Sequence, residues 1–135
     1  MCGIAALIGQ KEVASELYES LLALQHRGQE GAGFAAADTD FDVIHVERGQ
    51  GEVSQVLVGI NIPRLQRNAV IGQTRYSTIG ESSLQNVQPI VGIFHGRPFA
   101  LLQNGSLVNI KEISCYTKRD YTGMSDTHAI ADLLS

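Results

Sequence analysis

The chain is expected to adopt an α/β fold, and three observations predict it. Short apolar runs recur at residues 3–8, 31–37, 69–74 and 90–94, each of strand length. A stretch with helical spacing of apolar residues lies between the first two runs, and a capped helical stretch closes the sequence. Glycine, asparagine and aspartate clusters mark the boundaries.

Residues 3–8 form a continuous apolar run and predict a strand buried on both faces. Residues 12–26 predict a helix, because Val13, Leu17, Leu21 and Leu24 share one face and Arg27-Gly28 stops it. Gly31 to Ala37 predicts a second strand, whose small residues permit close backbone approach. Asp38-Thr39-Asp40 reads as a turn into a strand over residues 42–48. Gly49 and Gly51 break that strand before a short helix over residues 52–58, and Pro63 opens a further turn or helix. Ala69 to Thr74 predicts a strand that delivers Arg75-Tyr76-Ser77-Thr78 to a loop. Residues 90–94 and 99–102 predict a hairpin across His95-Gly96-Arg97-Pro98, with Asn104-Gly105 ending its second arm. A short helix is expected over residues 107–113. Ser125 suits the N-cap of a last helix, with Ile130, Leu133 and Leu134 as its apolar face.

Of the 135 residues, 44% are hydrophobic and 18% charged, a globular balance. The net charge of −4 and the scattered lysines and arginines argue against a nucleic-acid partner. No apolar run approaches the roughly 20 residues that span a bilayer. No basic segment precedes the first apolar run, so a secretory signal is not expected and a cytoplasmic location is. There Cys2 and Cys115 should be reduced thiols. The two cysteines and the histidines at 26, 45, 95 and 128 lack metal-ligand spacing, and no metal site is expected.

Cys2 is the residue with chemical consequences. Removal of Met1 would make it the first residue, with its thiol beside a free α-amine. Such an amine can serve as general base near neutral pH. From position alone, the favoured reading of Cys2 is a buried small hydrophobe leading the first strand. Asn104-Gly105 reads either as a plain turn or as an oxyanion-binding pair of one side-chain amide and one backbone N–H. Arg75, at the end of an apolar strand, suits a bidentate contact to a carboxylate. Asp126 reads either as a helix-dipole partner or as an acceptor for an ammonium group.

The segments Cys2-Gly3-Ile4, Leu24 to Gly33, Gly72 to Thr78, Gln88-Pro89, Asn104 to Asn109 and Ser125-Asp126-Thr127 occur in one order along nearly the whole chain. In that order they resemble the class II (N-terminal nucleophile) glutamine amidotransferases. His26 to Gly33 and Thr74 to Thr78 point to the purine-pathway branch of that family. Three positions depart from its pattern. Gln73 and Gln103 stand where histidine is common, and the stretch from Lys111 to Gly123 is short.

The resemblance implies an N-terminal nucleophile hydrolase sandwich, with antiparallel sheets between helices, apparently truncated after Ser135. Residues 1–135 would be the N-terminal portion of a type 2 glutamine amidotransferase domain. The acceptor phosphoribosyltransferase domain would be absent from this chain. Cys2 would attack the glutamine carboxamide, and Asn104 with Gly105 would hold the oxyanion. Arg75 would bind the α-carboxylate and Asp126 the α-ammonium. Tyr76, Ser77 and Thr78 would line the pocket, and Arg27 would support the N-terminus. The reaction implied is glutamine hydrolysis through a γ-glutamyl thioester, supplying ammonia for phosphoribosylamine formation. No cofactor is expected within this chain, magnesium belonging with the acceptor domain. The partners implied are L-glutamine and an acceptor phosphoribosyltransferase domain in cis or in trans; a homo-oligomer is left open, and a membrane is not expected. Two alternatives stay open. One is a catalytically incompetent remnant that serves as a binding or structural module. The other is a related amidohydrolase acting on a different amide.

Overall fold

A computed structural model describes residues 1–38, 43–57, 67–76 and 83–135. The expectations at Pro63, Ser77 and Thr78, and most of the Asp38-Thr39-Asp40 turn, fall outside the described residues.

The first sheet holds four antiparallel strands: β1 (Gly3–Ile8), β2 (Gly31–Ala37), β3 (Ile44–Gln50) and β4 (Ala69–Arg75). Their order is β1-β4-β2-β3. Register pairs Gly3 with Thr74 and Gly31 with Arg75. The same end of the sheet therefore carries the residues before β1 and after β4.

Helices α1 (Ala14–Ala23) and α2 (Val53–Leu57) cover one face of this sheet. Leu17 and Leu21 of α1 and Val53 and Leu57 of α2 pack on Ala32, Phe34, Ala36 and Val70. Burying side chains of this kind contributes about 1.5–3 kcal/mol each. A 3-10 turn, Gln25–Arg27, follows α1. There Gln25 Oε1 accepts the Val53 N–H of α2 at 2.8 Å, which ties the two helices.

Alternation explains the composition of β2. Its residues 32, 34 and 36 face the helices, and residues 31, 33 and 35 face the opposite side. A Cβ on Gly33 would collide with the Gln88 carbonyl oxygen. The segment through a 3-10 turn at Leu84–Asn86 and on to Pro89 therefore lies flat against β2. Arg48 of β3 clamps it, with Nη1 donating to the carbonyls of Val87 at 3.1 Å and Pro89 at 3.4 Å. The small residues of β2 do permit close approach, as the sequence predicts.

The second sheet is a hairpin of β5 (Ile90–Phe94) and β6 (Arg97–Leu101). Phe94 pairs with Arg97, so only His95 and Gly96, both at positive φ, form the turn. Arg97 and Pro98 belong to β6 rather than to the turn. Helix α3 (Ile110–Thr117) packs on α4 (Asp126–Leu134), and α4 lies on β5. The layers are thus helices, sheet, hairpin sheet and helices, the expected α/β sandwich. No helix among the described residues is long and apolar enough to cross a membrane.

Gly49 does not break its strand, for it lies inside β3 opposite Ala32. Three further expectations are corrected. β1 is not buried on both faces, since its burial alternates and Ile8 is 82% exposed. It is an edge strand whose Gly3, Ala5 and Leu7 side alone meets α1. Helix α3 begins at Ile110 instead of 107, because Leu107 donates its N–H to Asp126 and Asn109 becomes the N-cap. The buried face of α4 is Asp126, Thr127, Ala129 and Ala131, whereas Leu133 and Leu134 are exposed. Small residues let α4 sit close to β5, and the leucines project beyond that contact.

Candidate active site

Pairing of β1 with β4 sets Cys2 beside the end of β4. The Tyr76 N–H points at Cys2 Sγ at 3.4 Å, and the thiol lies 3.5 Å from the Tyr76 carbonyl. The main chain of Cys2 is held as firmly. Arg27 Nε donates to its carbonyl at 3.0 Å, and Asn104 Nδ2 donates to the same oxygen at 3.1 Å. Gly28 makes the Arg27 contact reachable, for a Cβ there would collide with the Arg75 carbonyl. Next along β1, Gly3 N–H donates to Thr74 Oγ1 at 3.2 Å, and that hydroxyl donates to Leu24 O.

A cleft of about 340 Å³ opens over Cys2. Arg75, Tyr76, Asn104, Gly105 and Asp126 line it together with Cys2 and Met1. That volume lies within the usual range for small-molecule sites. Arg75 is 5% exposed, with Nη1 3.5 Å from the Ser83 carbonyl. Asp126 is 9% exposed, and one of its carboxylate oxygens accepts the Leu107 N–H at 2.5 Å. The Asn104 amide carries two N–H groups, of which the bond to Cys2 uses one. Six of the residues singled out from the sequence thus surround one cleft, and Arg27 lies behind it. Ser77 and Thr78 lie outside the described residues.

Sequence reasoning gave no site role to several further residues of the cleft, and of these Asn86 it did not single out at all. Asn86, Gln88, Gln103, Ser106, Ser125 and Thr127 also line it. Asn86 is fully buried and bridges two backbone groups before α4. Its Nδ2 donates to Gly123 O at 2.8 Å, and its Oδ1 accepts the Ser125 N–H at 2.8 Å. No local pattern announces such a bridge. Gln88 stood in the sequence beside Pro89 without a role.

Ser125 occupies the N-cap of α4, but its hydroxyl meets a side chain and not a backbone N–H. It lies 3.1 Å from His128 Nδ1. Burial pulls the His128 imidazole below its ordinary pKa, with Arg119 and Arg48 adding to the effect. His128 Nδ1 also lies 3.2 Å from the Ser125 carbonyl, so the imidazole rests against the first turn of the helix that carries Asp126.

Sheet order, layering and the residues gathered at Cys2 define a class, the N-terminal nucleophile amidotransferase domain. Comparisons name its relatives. The chain is 36% identical to an amidophosphoribosyltransferase of Methanothermobacter thermautotrophicus over a 140-residue alignment, which covers 99% of this chain and 29% of that protein. It is 39% identical to the Archaeoglobus fulgidus amidophosphoribosyltransferase, covering 100% of this chain and 30% of that protein. The solved glutamine phosphoribosylpyrophosphate amidotransferase of B. subtilis, complexed with ADP and GMP, superposes with a TM-score of 0.83 at 30% identity. That match covers 98% of this chain and 29% of the solved chain. No protein-family model matches the chain. The chain is thus homologous to amidophosphoribosyltransferases, and it spans 29% and 30% of the length of the two relatives.

Proposed function

We propose that this chain hydrolyses L-glutamine with Cys2 as nucleophile and supplies the ammonia to an acceptor phosphoribosyltransferase domain, in cis or in trans. The observation that carries this reading is the gathering of Cys2, Asn104, Arg75 and Asp126 around one small cleft. A thiol, an oxyanion donor, a cation and an anion form the set that a free amino acid with a terminal amide requires.

Removal of Met1 frees the Cys2 amine. The amine takes the thiol proton, and the thiolate attacks the carboxamide carbon of glutamine. The second N–H of Asn104 and the N–H of Gly105 receive the negative oxygen. Collapse of the tetrahedral intermediate breaks the C–N bond, and the ammonium of Cys2 returns its proton to the leaving ammonia. A γ-glutamyl thioester remains. Water adds to it with the same amine as base, giving glutamate and the free thiol. Arg75 faces the α-carboxylate and Asp126 the α-ammonium, which fixes the carboxamide over Cys2. Tyr76 contributes its backbone N–H to the sulfur, and Arg27 steadies the Cys2 carbonyl. In a cytoplasmic purine pathway, the ammonia would serve phosphoribosylamine formation on the acceptor domain. Glycosyl transfer itself belongs to that domain.

Ammonia release from glutamine, measured for the wild type and for Cys2→Ala, tests the reaction. Loss of release in the variant is expected, with asparagine a poor substrate for the wild type. Equal release by both proteins would exclude Cys2. Equal use of asparagine would favour an amidohydrolase of different specificity.

A further inference from the structure

Gln88 takes no part in the steps above, yet it is 7% exposed, lines the cleft and bonds protein groups through both ends of its amide. Its amide closes a ring of three hydrogen bonds. Gln103 N–H donates to Gln88 Oε1 at 2.6 Å. Gln88 Nε2 donates to Thr127 Oγ1 at 2.8 Å. The Thr127 hydroxyl donates to Gln103 Oε1 at 3.1 Å. Each member orients the next, so the ring behaves as one unit.

The positions of the members give the ring its meaning. Gln103 immediately precedes Asn104, and Thr127 immediately follows Asp126. The remaining backbone group of Gln103 is also taken, since Gln73 Nε2 donates to its carbonyl at 3.0 Å. Gln88 itself cannot drift. The segment that carries it is pressed on Gly33 and clamped by Arg48 at Val87 and Pro89.

We propose that Gln88 is a positioning residue, which sets the separation between Asn104 and Asp126 through its bonds to Gln103 and Thr127. That separation has to match the span from the carboxamide to the ammonium of a bound amino acid. The inference rests on the glutamine-hydrolysis reading for its substrate, while the ring is a feature of the fold alone. Gln88 Oε1 and Nε2 each bond a neighbour of a proposed substrate contact, so its influence runs through Gln103 and Thr127.

Four variants of the protein test the proposal by kcat and KM for ammonia release from glutamine, with the thermal midpoint measured in parallel. Gln88→Met and Thr127→Val remove bonds from the ring at nearly constant size. Each is expected to lower kcat about 10- to 100-fold, the scale of an ångström's misplacement. KM should change much less, because Arg75 and Asp126 still bind. Thr127→Ser keeps the hydroxyl and should stay within about twofold of wild type, on the scale of an intact bond network. The double variant Gln88→Met/Thr127→Val should be no slower than the worse single, because the ring acts as a unit. A folded Gln88→Met or Thr127→Val with wild-type kcat would overturn the proposal, as would equal losses in Thr127→Ser and Thr127→Val. If Gln88→Met fails to fold, Thr127→Val alone decides. If the wild type releases no ammonia, the glutamine reading fails separately, and hydrogen exchange at the Gln103 amide judges the ring. Faster exchange in Thr127→Val supports it, and unchanged exchange refutes it.

Discussion

The carbonyl of Cys2 receives hydrogen bonds from Arg27 and Asn104, so one oxygen joins Cys2 to Arg27 and to the proposed oxyanion donor. Asn104→Ala should therefore lower kcat for ammonia release by about 10²–10³-fold while KM changes little. A KM effect of similar size with kcat unchanged would assign Asn104 to substrate binding instead. Arg75→Lys keeps the charge but loses the planar fork, and KM for glutamine should rise at least about tenfold, the equivalent of about 1.4 kcal/mol. The residues at these positions were legible in the sequence because the chemistry demands particular atoms: a thiol, an amide, a guanidinium and a carboxylate. Asn86 was not legible, for a buried amide that bridges Gly123 and Ser125 serves backbone groups 37 and 39 residues away. Gln73 shows the same limit. It was visible as a departure from the family pattern, but its bond to the Gln103 carbonyl appears only when β4 and the chain after β6 are brought together.

Helix α4 brings Asp126 to the cleft, and His128 lies beside Ser125 in its first turn. Burial depresses the imidazole pKa in the folded state. The unfolded chain accordingly binds a proton near pH 6.5 that the folded chain refuses. Stability is retained above that pH, falls as pH drops below it, and levels off once the folded imidazole also titrates. Thermal midpoints measured from pH 7.5 down to pH 5 should show this decline, and His128→Gln should flatten it. An unchanged pH slope in the variant would remove His128 from the account. The helix itself was legible from Ser125 and its capping chemistry. Its buried face was not, because periodicity weights Leu133 and Leu134 above Ala129 and Ala131, whereas close packing on β5 selects the small residues. The start of α3 was misplaced for a related reason. Leu107 bonds to Asp126 across 19 residues, and no local propensity encodes that bond.

Across the molecule, the start of β1, the end of β4 and the chain after β6 come together, and the cleft forms there. The α1 side of the first sheet holds the main core, with Leu17 and Leu21 fully buried. Leu21→Ala should destabilise the fold by about 2–5 kcal/mol in denaturant unfolding, with the larger values expected where the cavity cannot collapse. A cost well under ~1 kcal/mol would mean that α1 contributes little to the core. The α/β class and most strands were legible from apolar runs and glycine breaks. Strand order was not, because pairing β4 between β1 and β2 is a long-range choice that no single segment records. The central claim, that a freed Cys2 thiol is the nucleophile, is tested most directly by peptide mass spectrometry after treatment with an electrophilic glutamine analogue. The account predicts one adduct, on a first peptide that begins at Cys2, suppressed by excess glutamine. An unlabelled first peptide that still carries Met1 would contradict it.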